Sequence, residues 1–336
     1  MCAANVQPDR GANGRVRVSR AALDLDCAAE VERISRWLVD AVARQLHRRG
    51  AIIALSGGID SSVCGALAVR AFGADKVFGL LLPERDSSPT SSDRGLQVAK
   101  QLGIRYELEH IAPTLEAIGC YKWRDDAIRD VFPEYGEGWK NKIVIAGGAQ
   151  GGVNFFKLVV QSPSGTMFDR RLPIRQYLQI VAATNFKQRI RKTIEYFHAD
   201  RLNYAVIGTP NLLEYDQGFF VKNGDGAADV KPIAHLYKTQ VYALARHLGL
   251  PEDVCNASPT TDTYSMPQGQ DEFYFALPYA QMDLALWGYI NEVTPEDLAP
   301  VIDLTAAQVA HVYTDIASKR RAAHYLHSRP LIHERP

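Results

Sequence analysis

Residues 51–62 read A-I-I-A-L-S-G-G-I-D-S-S, and this stretch decides the fold. The apolar run at 51–55 predicts a short strand that is buried on both faces of a sheet. The glycines at 57 and 58 allow a tight turn, and the Ala-, Val- and Leu-rich residues 61–72 predict a helix directly after it. A buried strand that leads through a glycine turn into a helix is typical of α/β proteins with a parallel sheet.

The sequence on both sides of this unit continues the alternation of strand and helix. Helices are predicted at residues 23–49, 61–72, 91–102, 174–198, 238–248, 279–290 and 305–326, and strands at 51–55, 76–83, 105–111 and 204–207. Two further runs, 155–161 and 167–172, flank P-S-G and predict a hairpin. We therefore predict an α/β fold: a doubly wound, mostly parallel, Rossmann-like sheet flanked by helices, with an inserted β-hairpin.

The domain organisation is predicted from composition along the chain. We expect a flexible, polar tail at residues 1–22 and a single domain at 23–336, with an insertion at about 121–172 that interrupts the α/β alternation. The tail lacks the apolar segment of a signal peptide, and no apolar run reaches the roughly 18 residues of a membrane span. The five cysteines form no C-x-x-C pair, which indicates reduced thiols and a cytoplasmic protein.

The overall composition argues against two classes of protein. With 46% hydrophobic residues and no net charge, the chain has enough apolar material for a packed core, which excludes disorder as its main state. Its 38 Lys and Arg residues are balanced by 38 Asp and Glu residues, which argues against a protein that holds nucleic acid by bulk charge. We expect neither a nucleic-acid partner nor a membrane partner.

The turn at residues 56–62, S-G-G-I-D-S-S, has the chemistry of an anion site. Serine hydroxyls and the unpaired backbone N–H groups at a helix N-terminus can cradle phosphate. Asp60 would repel phosphate unless a cation lay between them, and Mg²⁺ is the simplest such cation. The turn matches neither the Walker A pattern nor G-x-G-x-x-G. The alternative interpretation is a plain glycine turn with a serine cap on the helix.

The motif S-G-G-x-D-S resembles the pyrophosphatase loop, or PP-loop, of the adenine-nucleotide α-hydrolases. Further motifs resemble the NAD synthetase family within that superfamily: N-F-K-Q-R-I-R at 185–191, I-G-T-P-N-L-L-E at 207–214, G-F-F-V-K-N-G-D-G-A-A-D at 218–229 and P-T-T-D at 259–262. The resemblance implies an enzyme that uses ATP to adenylate the nicotinate carboxylate of deamido-NAD and releases pyrophosphate. Ammonia then displaces AMP to give NAD.

The resemblance also implies roles for individual residues. Asp60 and Glu214 match residues that hold Mg²⁺, and Asp60, Lys238 and Asp229 are the expected catalytic residues. The expected ATP-binding residues are Ser56, Gly57, Gly58, Asp60, Ser61, Thr209, Lys238 and Thr260. The expected deamido-NAD-binding residues are Arg189, Lys222, Asp229 and Lys319. Ammonia needs a base that takes its proton, and Asp229 or Asp225 is the candidate.

The family comparison also predicts partners and one departure. Ser318 stands where the family has a histidine before a Lys-Arg pair, so one family contact to deamido-NAD is replaced. Glutamine-dependent members carry a nitrilase-like domain ahead of the synthetase, and residues 1–50 are too few for one. We therefore expect free ammonia, or ammonia from a separate protein, as the nitrogen source. The resemblance further implies a homodimer.

Three alternative functions differ from this interpretation in their chemistry. The first is an amide ligase of the same fold that adenylates another carboxylate, which shares the loop and differs in the acceptor pocket. The second is a tRNA-thiolating or tRNA-lysidine enzyme, which usually carries catalytic cysteine pairs or a basic RNA-binding domain. The third is a non-catalytic nucleotide-binding regulator, against which Asp60, Glu214 and Lys238 argue.

Overall fold

The structure of the chain is a computed structural model, and it describes residues 18–146, 155–259, 264–266, 269, 274 and 277–333. The strand predicted at 51–55 lies inside a four-stranded parallel sheet. The strands are β1 (Ala51–Ala54), β2 (Val77–Leu81), β3 (Arg105–Leu108), β4 (Lys140–Ala146), β5 (Phe155–Gln161), β6 (Met167–Arg171) and β7 (Ala205–Val206). Ala51 of β1 pairs with Val77 on one side and with Ala205 on the other, which gives the order β3-β2-β1-β7.

Helices cover both faces of this sheet. They are α1 (Cys27–Val39), α2 (Ile59–Phe72), α3 (Pro89–Gln101), α4 (Ala112–Ala117), α5 (Cys120–Arg129), α6 (Ile174–Leu202), α7 (Leu212–Gln217), α8 (Lys238–His247), α9 (Glu252–Cys255), α10 (Tyr279–Ile290), α11 (Pro295–Leu298) and α12 (Ala306–His327). Ile53 of β1 packs with apolar residues of α1, α2 and α8, whereas Ile52 packs with those of α4, α5 and α6. Neighbouring residues of one strand thus point to opposite cores, which confirms the predicted doubly wound α/β fold.

The first helix is shorter than the predicted 23–49. The Asp26 side chain accepts a hydrogen bond from the backbone N–H of Ala29 at 3.0 Å, and this cap sets the start of α1 at Cys27. After Val39 the chain continues as a π-helix over Asp40–Gln45, and the helical structure ends there. The strand predicted at 105–111 is likewise shorter, because β3 is an edge strand that ends at Leu108.

The predicted hairpin is part of a three-stranded antiparallel sheet with the order β4-β5-β6. The sequence did not predict β4, because Asn141 interrupts its apolar pattern. Asn141 is nevertheless fully buried, and its Nδ2 donates to the hydroxyl oxygen of Tyr135 at 2.7 Å. A buried amide with a partner replaces the apolar side chain that the alternation would require.

Of the flexible tail predicted at residues 1–22, residues 1–17 lie outside the described residues, whereas residues 18–22 are described. A short 3₁₀ turn at Arg20–Leu23 packs on the C-terminal helices, where Arg20 forms an ion pair with Asp303 at 2.8 Å. Val18 and Leu23 contact the core formed by α10 and α12. No helix among the described residues is long and apolar enough to span a membrane.

Candidate active site

A tight turn joins β1 to α2 and requires glycine at position 57. Gly57 has a φ of 77°, and a Cβ atom there would lie 2.1 Å from the carbonyl oxygen of Ser91. A Cβ atom on Gly95 of α3 would lie 2.7 Å from the carbonyl oxygen of Leu55. The turn therefore lies against α3 with no room for a side chain between the two backbones.

Serine hydroxyls fix this turn from within. Ser61 Oγ and Ser62 Oγ donate to the carbonyl oxygen of Gly58 at 3.0 and 2.9 Å. Ser56 Oγ accepts from the backbone N–H of Gly58 at 3.3 Å. Gly58 is the N-cap residue of α2, and none of the side chains that the structure describes caps this helix end. The backbone N–H groups of the first helical turn and the positive end of the helix dipole therefore remain available to an anion.

The turn forms one wall of a cavity of about 920 Å³. With one exception, the predicted site residues that the structure describes all line this cavity: Ser56, Gly57, Gly58, Asp60, Ser61, Arg189, Thr209, Glu214, Lys222, Lys238 and Lys319. The exception is Asp229, and Thr260 lies outside the described residues. A cavity near the upper end of the usual ligand-site range can hold a nucleotide beside a second substrate.

Two acids and one lysine meet beside the turn. Nζ of Lys238, the first residue of α8, forms an ion pair with Oδ2 of Asp60 in the first turn of α2. Asn211 links the two acids, because its Nδ2 donates to Asp60 Oδ1 at 3.2 Å and its backbone N–H donates to Glu214 Oε2 at 3.2 Å. Glu214 and Lys238 are buried, so these charges interact in a poorly screened environment.

The charges of this cluster are not balanced. Burial, together with the charge of Asp60, raises the pKa of Glu214 to about 8. Burial alone would lower the pKa of Lys238, but the charges of Asp60 and Glu214 outweigh it and raise that pKa. The single ammonium group of Lys238 therefore faces two carboxyl groups, those of Asp60 and Glu214. A divalent cation coordinated by carboxylate oxygens would relieve this repulsion, so the donor set fits Mg²⁺.

The stability of the metal-free chain should fall as the pH rises, because of Glu214. The folded chain keeps a proton on this carboxyl between pH 4.5 and about 8, where the unfolded chain has released it. The free energy of unfolding should therefore drop across that window, by on the order of a few kcal/mol. Urea unfolding in a metal chelator at about pH 5.5 and about pH 8.5 measures the drop.

The matched variant for this measurement is Glu214→Gln. A glutamine oxygen can still accept from the Asn211 N–H but does not titrate, so the variant should lose much of the pH slope. Other buried acids, such as Asp283, whose pKa burial raises to about 6, contribute equally to both proteins. Equal slopes in the two proteins would show that Glu214 does not carry the effect.

A second group of cationic side chains, from α6, α12 and the loop after α7, also lines the cavity. Nζ of Lys222 donates to the carbonyl oxygen of Tyr325 at 2.8 Å, and Nε of Arg189 donates to the backbone carbonyl oxygen of Lys222 at 3.3 Å. Lys319 forms an ion pair with Asp315 at 2.7 Å, and burial lowers the pKa of Lys319. Positive side chains on a cavity wall suit phosphate and carboxylate groups of a ligand.

The two candidate bases lie in different places. Asp229 holds the backbone: its Oδ2 accepts from the Val206 N–H at 2.7 Å, and its Oδ1 accepts from the Tyr196 hydroxyl at 3.2 Å. Asp225 lines the cavity, where its Oδ1 accepts from the Val221 N–H at 2.7 Å. Burial raises the pKa of Asp225. Asp225 is thus the better placed of the two to take a proton from a ligand.

Some residues of the site were not predicted from the sequence. Asp283 of α10 accepts from the Thr239 N–H at 2.8 Å and so fixes the start of α8, where Lys238 lies. Its only sequence signal is one acid within the apolar segment 279–290. Lys192 and Glu195 of α6 form a buried ion pair at 2.6 Å in the cavity wall. In sequence this pair resembles an ordinary exposed pair on a helix.

Comparison with known proteins places the chain in a family. The family model described as NAD synthase matches residues 30–131 and 152–323. The chain belongs to the NAD synthase family. The internal stretch that this model leaves unmatched, 132–151, falls inside the predicted insertion and contains β4.

Two family members are similar along almost the whole chain. The chain is 56% identical to the NH(3)-dependent NAD(+) synthetase of Rhizobium meliloti (strain 1021) over 327 residues, which are 97% of each protein. It is 58% identical to the NH(3)-dependent NAD(+) synthetase of Mesorhizobium japonicum over 311 residues, which are 92% of this chain and 98% of that protein. These similarities confirm the predicted family.

Two solved structures share the fold. The NH3-dependent NAD synthetase from Campylobacter jejuni superposes with a TM-score of 0.58 at 21% identity, over 93% of this chain and 100% of that one. The NMN synthetase from Francisella tularensis superposes with a TM-score of 0.63, also at 21% identity, over 92% of this chain and 99% of that one. At these identities the structures support the fold of an NAD synthase and nothing narrower.

Proposed function

We propose that this chain is an ammonia-dependent NAD synthetase, an ATP-dependent ligase that forms the amide group of NAD. The substrates are ATP, deamido-NAD and ammonia, and the products are NAD, AMP and pyrophosphate. The observation that carries the proposal is that one cavity joins the phosphate-binding turn at 56–62 to a cationic wall for an anionic acceptor. The similarity to two proteins named NH(3)-dependent NAD(+) synthetase favours deamido-NAD over another carboxylate.

Adenylation uses the side of the cavity formed by α2 and α8. The N–H groups at the start of α2 and the serines of the turn bind the pyrophosphate part of ATP, and Thr209 lines the same site. Lys238 stabilises the negative charge that builds up around the α-phosphorus. Asp60 and Glu214 would hold Mg²⁺, which supplies further charge neutralisation when bound.

The cationic wall of the cavity orients the acceptor for that step. Arg189, Lys222 and Lys319 line it and can bind the phosphates of deamido-NAD. Their task is to place a nicotinate carboxylate oxygen in line with the departing pyrophosphate, and positioning of this kind lowers a barrier without a protein nucleophile. Attack by that oxygen on the α-phosphorus forms the acyl adenylate and breaks the bond to pyrophosphate.

Amide formation needs a base and a nitrogen source. Ammonia attacks the carbonyl carbon of the acyl adenylate, the bond from that carbon to the phosphate oxygen breaks, and AMP leaves with the electron pair. Asp225 takes a proton from the attacking nitrogen. We propose free ammonia as the nitrogen source, or ammonia delivered by a separate protein. We also propose that residues 23–336 work as one domain, since Phe155 and Phe156 of the antiparallel sheet line the same cavity as the turn.

Exchange of labelled pyrophosphate into ATP tests the adenylation step. With Mg²⁺, ATP and deamido-NAD but without ammonium, the chain should catalyse exchange, and omission of deamido-NAD should abolish it. Addition of ammonium should then give NAD and AMP in equal amounts. Exchange that depends on nicotinate mononucleotide or another carboxylate, and not on deamido-NAD, would contradict the proposal. It would instead favour an amide ligase of the same fold that acts on that carboxylate.

We also propose that the chain acts as a homodimer. The described surface exposes large apolar side chains on and around α6, which is common at contacts between subunits. They are Trp123, Met167, Phe168, Ile174, Leu178 and Phe197. The Leu178→Glu variant should therefore weaken dimerisation at least about tenfold in analytical ultracentrifugation. Leu331→Glu, at an exposed position near the C-terminus, is the control, and an unchanged dimer in Leu178→Glu would exclude this surface.

A further inference from the structure

Arg94 lies beside the phosphate-binding turn and has no role in the steps described above. It belongs to α3, the helix that packs against the turn, and it lines the cavity. A Cβ atom on Gly57 would lie 3.1 Å from the Cβ atom of Arg94. The arginine side chain therefore starts next to the backbone of the turn, where Ser91 of the same helix also approaches it.

The guanidinium group of Arg94 has no partner within the described part of the chain. No hydrogen bond or ion pair joins it to another described residue, and its Nε atom is buried without an acceptor. Each of the other cationic side chains that line the described cavity donates a hydrogen bond or forms an ion pair: Arg189, Arg191, Lys192, Lys222, Lys238 and Lys319. A buried N–H group without an acceptor costs free energy, and an anion in the cavity would supply that acceptor.

The position of Arg94 favours a ligand with two phosphates. A guanidinium group presents a planar fork of N–H donors, which matches two oxygens of a phosphate group. The first turn of α2 offers its free N–H groups to the phosphate-binding turn, and Arg94 adds a full positive charge from α3. Asp60, the acid of the turn, is paired with Lys238 and does not neutralise Arg94.

The cations that line the cavity fall into groups with different places in the fold. Arg189, Lys222 and Lys319 come from α6, the loop after α7 and α12, and they suit the acceptor. Lys238 of α8 pairs with Asp60, and its role concerns the α-phosphorus. Arg94 comes from α3 and starts at the turn itself, so it suits the part of ATP that this turn binds.

We propose that Arg94 binds the β- and γ-phosphates of ATP and holds the pyrophosphate as it leaves. This inference rests on the proposed synthetase function. During adenylation the acceptor carboxylate oxygen forms a bond with the α-phosphorus, and the bond from that phosphorus to the oxygen of the β-phosphate breaks. Pyrophosphate departs with the electron pair, so negative charge grows on the phosphates that Arg94 binds. A fixed positive charge at this place stabilises the transition state.

Binding of pyrophosphate and of AMP, measured by calorimetric titration in Mg²⁺ buffer, tests this role. In Arg94→Gln the Kd of pyrophosphate should rise at least about tenfold, because charge-assisted hydrogen bonds are lost. The Kd of AMP should stay within about twofold, because AMP lacks the β- and γ-phosphates. Both ligands bind the same folded molecules, so a loss of folded protein does not change the ratio of the two constants. An unchanged ratio, including a parallel rise of both constants, would overturn the proposal.

A second variant and a control separate this role from a structural one. Arg94→Lys keeps the charge but loses the planar fork, so it should raise the ratio at least about threefold, and it serves if the glutamine variant does not fold. An unchanged ratio in Arg94→Lys would then overturn the proposal. Lys100→Gln removes an exposed cation from the same helix, outside the cavity lining, and should leave both constants unchanged.

Exchange of labelled pyrophosphate into ATP keeps this inference distinguishable from the proposed function. Absence of exchange with deamido-NAD in the unmodified chain would refute the synthetase function. Normal exchange in the unmodified chain, together with an unchanged ratio of Kd values in the Arg94 variants, would refute the role of Arg94 alone. Slower exchange in Arg94→Gln than in Lys100→Gln is the result that the proposal predicts.

Discussion

Asp60→Asn should slow pyrophosphate release at least roughly 10²- to 10³-fold, a loss of the size seen when one charge-stabilising group leaves an active site. The asparagine can still accept the hydrogen bond from Asn211 Nδ2, and Lys238 still faces the charge of Glu214. The fold should therefore persist while the carboxylate pair that would hold Mg²⁺ is lost. The effect is measured as the amount of pyrophosphate released in reactions quenched at fixed times, with matched amounts of folded protein.

Asp75→Asn is the matched control for this prediction. Asp75 is an exposed aspartate at the turn before β2 and is not among the residues that line the cavity. This variant should release pyrophosphate at the unmodified rate, and both variants should show the melting temperature of the unmodified chain within a few degrees. Near-normal pyrophosphate release by Asp60→Asn would contradict a metal role for Asp60.

Lys187→Met should destabilise the fold by about 3–5 kcal/mol. Nζ of Lys187 lies 2.8 Å from Glu84 Oε1 and 2.8 Å from Asp86 Oδ2, and all three side chains are buried. Arg124 of α5 also pairs with Asp86, at 2.5 Å, so this cluster ties α5 and α6 to the segment after β2. Removal of the lysine leaves Glu84 as a buried carboxylate with no cation among the described residues paired to it, held only by the Tyr121 hydroxyl at 2.8 Å. Urea unfolding measures the loss.

A double variant separates the charge effect from lost packing. Lys187→Met with Glu84→Gln removes both charges and should recover a substantial part of the stability that Lys187→Met alone loses. Lys76→Met, at an exposed lysine, should change the free energy of unfolding by less than about 0.5 kcal/mol. A small loss in Lys187→Met, similar to that of the control, would show that the buried cluster does not hold these helices together.

The sequence predicted the parts of this fold in which local signals agree. The unit at 51–62 combines an apolar run, two glycines and a helix-forming segment, and each signal indicates the same strand–turn–helix. The helix ends were less predictable, because Asp26 as a cap and the π-helix after Val39 depend on side-chain and backbone geometry. β4 was missed because Asn141 is polar yet buried beside Tyr135, a contact that alternation rules do not reveal.

The site was predictable in its motifs but not in its supporting contacts. Asp60, Glu214 and Lys238 could be found because each lies in a short, distinctive stretch that resembles one family. The placement of Asp225 in the cavity and Asp229 against Val206 depends on how one loop folds, and both residues fit the same motif. Asp283 and Glu195 contribute from helices whose sequences indicate only packing or solvent exposure, so only tertiary structure brings them to the site.

The transfer of labelled oxygen tests the central claim most directly. Deamido-NAD with ¹⁸O in its nicotinate carboxylate is turned over with ATP, Mg²⁺ and ammonium, and the products are analysed by mass spectrometry. Attack of the carboxylate on the α-phosphorus, followed by displacement with ammonia, moves one labelled oxygen into AMP. We predict AMP with a single ¹⁸O atom and unlabelled pyrophosphate. Unlabelled AMP, or label in inorganic phosphate with release of ADP, would contradict adenylation at this site.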